Sequence, residues 1–112
     1  MRGEDAFLPG RITALSISPR EVVLPEAAAL EAIDLAEAHR VQILGWEGWV
    51  RDESGRVGHG SAPQGSGSLE DLGVAGAAAY CRQSIVEGAR AWRAQARNVP
   101  EELFFCLTFD LD

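Results

Sequence analysis

The stretch Val41-Gln42-Ile43-Leu44-Gly45-Trp46-Glu47-Gly48-Trp49-Val50-Arg51 carries two of the three tryptophans of this 112-residue chain, with a carboxylate between them. Its alternation and its aromatic and β-branched content read as a strand. In a strand Trp46 lies opposite in sense to Glu47 and shares a face with Leu44 and Val50. Trp49 shares the other face with Ile43, Glu47 and Arg51. The first set reads as core. The second sets an aromatic beside charges, the make-up of an interaction surface if that face is uncovered. Acidic residues are depleted in strands, so Glu47 calls for a reason: an arginine partner, solvent on its face, or a binding role.

Outward from this strand, Asp52-Glu53-Ser54-Gly55 has the residues of a tight turn, with Asp first and Gly fourth. Arg56 to His59 then returns as a short antiparallel partner, so Arg51 to Arg56 reads as a hairpin. Gly58 to Ser68 holds four glycines, three serines and a proline in eleven residues and is expected to form a mobile surface loop. Ser68-Leu69-Glu70-Asp71 resembles a capping box, with Asp where Glu or Gln is preferred, and Gly73 and Gly76 allow a short turn before the main helix. From Val74 to about Arg97 the spacing is helical, with Ala77, Cys81, Ile85, Gly88 and Trp92 on one stripe. Asn98 and Pro100 are placed to end that helix. Leu103 to Phe109 is apolar on both faces, as a central strand is.

Before the tryptophan strand, Pro25 and Glu26 open an alanine-rich helix running to about Arg40. Its apolar positions Ala29, Leu30, Ile33 and Ala36 recur at helical spacing, and Glu31, Asp34 and Glu37 mark its wet side. Arg11 to Ile17 reads as a strand stopped by Ser18-Pro19, and Val22-Val23-Leu24 is extended. Residues 1–10 read as a loosely held lead-in to one domain over 11–112. The element order is therefore β-α-β-β-α-β. The expectation is a two-layer α+β fold of the split β-α-β kind, a mostly antiparallel sheet with two helices on one face.

The chain carries a net charge of −7, and its ten basic residues are all arginine. An acidic chain repels phosphate backbones and anionic membranes and attracts basic proteins, so no nucleic acid or membrane partner is expected and a basic protein partner is. A cytoplasmic location is expected, because the first ten residues lack an apolar signal core and no run approaches a membrane span. Cys81 and Cys106 sit in apolar surroundings and suit reduced core residues. No cofactor or metal is expected. His39, His59, Cys81 and Cys106 show no ligand-like spacing. The loop Gly60 to Ser66 has phosphate-loop glycine spacing without its lysine, and Gly58-His59-Gly60 meets Pro63 where a dinucleotide fingerprint needs glycine. His59 beside Ser61 lacks the context of a nucleophile site. Glu101 and Glu102 are adjacent and would point to opposite faces, a poor acid/base pair.

The run Ile43-Leu44-Gly45-Trp46-Glu47-Gly48-Trp49, the hairpin with Gly55-Arg56 and the terminal Phe104-Phe105-Cys106-Leu107 resemble small acidic bacterial immunity proteins. Those proteins neutralise toxins of contact-dependent and other polymorphic toxin systems. The resemblance implies a non-enzymatic binding module whose basic partner is a toxin domain. The partner-binding residues expected here are Glu47, Trp49, Asp52, Glu53 and His59, on an open sheet face and its hairpin. Two other readings stand beside it: a homo-oligomeric assembly subunit, such as a homodimer, and a small enzyme using Glu47 and His59 as acid and base.

Overall fold

The computed structural model describes residues 6–65, 67–95 and 100–111. It is an α+β fold. Strands β1 (Val22–Leu24), β2 (Gln42–Asp52), β3 (Val57–Gly58) and β4 (Glu101–Asp110) form one antiparallel sheet in the order β1-β4-β2-β3. Helices α1 (Gly10–Thr13), α2 (Glu26–Ala38) and α3 (Gly73–Ala94) complete it. β1-α2-β2 and β3-α3-β4 are each a split β-α-β unit, because β4 fills the gap in the first and β2 fills the gap in the second.

The core lies between the sheet and the helices. Ala28, Ala29, Ala32, Ile33 and Ala36 of α2 and Ala77, Ala78, Cys81, Ile85, Ala89 and Trp92 of α3 are buried. All but Trp92 meet Ile43, Trp46, Phe105, Leu107 and Phe109 from the sheet, and Trp92 packs with Val50, Ala62 and Leu103. The many alanines let the helix backbones approach the sheet closely, and the large side chains of the strands fill the space. Arg82 of α3 ties the layer together by pairing with both Asp34 and Glu37 of α2, and Arg93 pairs with Glu26.

The first strand is not where the sequence places it. Residues 11–17 form α1 and a following turn, and β1 is the extended Val22–Leu24 segment instead. The Pro9 carbonyl accepts the amides of Ile12 and Thr13, which starts a helical turn and sends Ile12 into the core at 1 % exposure. Ser16 then turns the chain: its hydroxyl accepts the Val23 amide and donates to the Glu21 carbonyl, a local alternative to a strand ladder. Within the lead-in, Phe7 and Leu8 are buried and Phe7 packs edge-on to Phe109, while residues 1–5 lie outside the described residues.

Described residues of the glycine-rich loop pack against the sheet and α3, where the sequence pattern predicts a mobile surface loop. Ala62 is buried against Val50 and Trp92. A side chain at Gly48 would meet the Pro63 carbonyl oxygen at 2.2 Å, and one at Gly65 would meet the Trp46 ring at 2.3 Å. Bare backbone in the middle of β2 is what lets this loop cross the strand. Ser68 does not cap. It takes a left-handed conformation without a side-chain capping hydrogen bond, and a 3-10 turn over Leu69–Leu72 leads into α3.

Candidate functional site

β2 carries a bulge between Ile43 and Gly45, and this reverses the face assigned to two residues. Ile43 stands opposite Phe109 on the core side, with Trp46 opposite Leu107 and Val50 opposite Leu103. The outer face of β2 presents Glu47, Trp49 and Arg51, in register with Cys106, Phe104 and Glu102 of β4. The outer apolar cluster is Val23, Phe104 and Cys106, joined by Ile17 and Trp49, and it draws on no residue of a described helix.

Trp49 is half-buried on this face. Its indole N–H donates to Glu47 Oε1 at 3.4 Å, and its ring meets the His59 imidazole edge-on with centroids 5.8 Å apart. His59 is held at the sheet edge by an Nδ1–H donated to the Gly48 carbonyl at 3.1 Å, since a carbonyl can only accept. Gln64 donates to the same carbonyl, and its backbone bridges to Glu47. Arg51 lies over the Phe104 ring at 4.9 Å and pairs with Glu102 at 2.9 Å. An aromatic row, Phe104–Trp49–His59, is thus flanked by an ion pair on one side and by the Glu47 carboxylate on the other. Among the described residues Glu47 has no cationic partner, whereas Asp34, Glu26, Glu31, Glu37 and Glu102 each have one.

Of the five residues the sequence singles out, the fold gathers Glu47, Trp49 and His59. It sets Asp52 and Glu53 apart. Strand alternation turns Asp52 to the side opposite Arg51, in register with Glu101. Its Oδ1 accepts the Ser54 hydroxyl and the Ser54 and Arg56 amides. Those bonds, the Ser54 hydroxyl foremost, hold its carboxyl below the usual value. Asp52 is therefore the side chain that closes the hairpin turn. Glu53 is exposed at the tip.

The chemistry weighed at other positions finds structural occupants. The Ser61 hydroxyl accepts the Trp92 indole N–H at 3.0 Å and donates to Glu101, which fastens the loop to α3 and β4. Cys81 lies in the core under the helices and Cys106 in the outer cluster, so the two free thiols are on opposite sides of the sheet. Burial pushes the Cys81 thiol up to about 11 and the Cys106 thiol up to about 12, the latter also raised by Glu21 and Glu47. Both are neutral and unreactive at ordinary pH. No three His, Cys, Asp or Glu side chains among the described residues converge as metal ligands. None of the described helices is long and apolar enough to cross a membrane.

Beside these residues lies a feature that local sequence pattern does not predict. A cleft of about 340 Å³ opens beside the β2 bulge, lined by Leu44, Gly45, Glu47, Gln64, Ser68 and Thr108 among others. His59 is not among its lining residues, so Glu47 and His59 do not share it. Gly45 was the available signal, because a glycine inside a strand pattern marks a bulge. The return of Gln64 to the strand edge had no counterpart in local sequence. Comparison of the chain with protein-family models, curated proteins and solved structures finds no match.

Proposed function

We propose that this protein is a non-enzymatic binding module that takes a basic protein partner on the outer face of its sheet. On the resemblance to immunity proteins, that partner is a toxin domain, neutralised by direct contact. The observation that carries the reading is Glu47 beside Trp49: a half-buried carboxylate without a described cation, next to a half-buried aromatic, on a face without a described helix. A net charge of −7 favours encounter with a basic surface. Trp49 supplies area that a partner can desolvate, and its packing against Phe104 and His59 limits the entropy lost on binding. The acid/base alternative has less support, since Glu47 borders the cleft and His59 does not.

The test uses the protein encoded beside this chain, measured for binding to the purified module. Trp49→Ala combined with Glu47→Gln is expected to weaken binding by about thirtyfold or more, the loss typical of a hot spot. Circular dichroism should stay unchanged, because both side chains leave the helix-side core intact. Affinity unaltered by the double substitution defeats the proposal.

A further inference from the structure

The cleft beside the bulge has a chemistry of its own. Among its lining residues Glu47 is the one ionisable side chain, and its neighbours include the Gln64 amide and the Ser68 and Thr108 hydroxyls. Among the described residues the one hydrogen bond to the Glu47 carboxylate, from the Trp49 indole, is long at 3.4 Å. A carboxylate has two oxygens and several lone pairs, so Glu47 keeps acceptor sites that a cation from outside the chain can take. The volume, about 340 Å³, lies at the lower end of the range of ligand sites and leaves room for one inserted side chain.

We infer that this cleft receives one arginine side chain of the partner, with its guanidinium on Glu47 and its remaining donors on the amide, hydroxyl and carbonyl acceptors around it. The inference rests on the binding reading above and names the group by which the partner is recognised. Arginine fits better than lysine because its planar fork carries five donors, can meet a carboxylate in two places, and gives up its water more readily. Glu47 and Trp49 share the outer face, so an arginine seated here lays the partner's adjoining surface across Trp49. Beside the bulge Gly45 stands in register with Thr108, and both line the cleft.

N-acetyl-arginine amide titrated into isotope-labelled protein, followed by amide chemical shifts, tests the site without any partner. The expected result is a saturable response at Leu44–Glu47 and at Gln64 and Gly65, in the millimolar range proper to one side chain. The uncharged isostere N-acetyl-citrulline amide, and sodium chloride at matched ionic strength, should give no such response. Lysine amide should bind several-fold more weakly. Glu47→Gln should abolish the response, and so should Thr108→Arg, whose exposed position can deliver a guanidinium to Glu47 from within the chain. An equal response to citrulline amide, an equal affinity for lysine amide, a response that survives in Glu47→Gln, or no response at all overturns the inference. A partner lost with Trp49→Ala while the amide gives no response would remove the arginine seat and leave the binding face standing. A response to the amide with no partner bound would instead remove the binding face.

Discussion

Gly48 shows how much a missing side chain can carry. It sits mid-strand, where glycine is ordinarily a weakness, and a Cβ there would collide with the Pro63 carbonyl oxygen at 2.2 Å and meet the Ala62 side chain at 3.0 Å. The obstruction is backbone and cannot swing away. Gly48→Ala is expected to cost about 1–3 kcal/mol in urea denaturation, as overpacking does, although alanine is no worse than glycine by strand propensity. An unchanged midpoint would show that the loop does not cross β2 here. Trp46 depends on the same economy: it is 5 % exposed, its indole donates to Ser84 at 2.8 Å, its ring stands edge-on to Phe105, and Gly65 lies against it. Its burial was legible from strand alternation. The two glycines that make room for the loop beside it were not, because their constraint comes from residues distant in sequence.

Among the elements, α2 ends in a well-formed stop with an unusual residue in it. The Val41 amide bonds back to the Ala36 carbonyl and the Arg40 amide to the Glu37 carbonyl, the paired bonds of a Schellman end. That ending requires the residue after the cap to be left-handed, and Arg40 is, at φ 57°. A side chain there is strained, and glycine is the usual occupant. Arg40 is exposed and takes part in none of the ion pairs found, so Arg40→Gly is expected to raise unfolding free energy by about 1 kcal/mol. A lowered thermal midpoint would contradict this. The hairpin follows the same logic with the residues it ought to have: Asp52 accepts the turn's amides and Gly55 supplies φ 89°. Helices α2 and α3, the hairpin and the two long strands are therefore readable from local pattern. The β-like reading of residues 11–17 failed because Pro9 and Ser16 supply local hydrogen bonds that outweigh weak alternation.

For the molecule as a whole, the charge acts at a distance that contacts do not reach. At a net charge of −7, the field extends over a Debye length of about 10 Å at 0.1 M salt and would steer the proposed basic partner before contact. The association rate with such a partner is expected to fall by about tenfold as salt is raised from low ionic strength to the physiological range, with the dissociation rate changing less. A rate indifferent to salt would mean that the acidic surface serves solubility alone. The outer face itself is mixed, with Arg51–Glu102 neutral as a pair and Glu47 without a cation among the described residues, so on the proposed reading steering would belong to the whole surface and recognition to the face.

By itself the chain determined its α+β class, its acidity, the buried stripe of α3 and the pairing of Glu47 with Trp49 on one side of a strand. Each of these follows from local periodicity or composition. Only the tertiary structure decided the strand order, the bulge that moves Ile43 into the core, the loop threaded past Gly48 and the cleft beside Glu47. These depend on which distant segments pack together, and no neighbour along the chain carries that information.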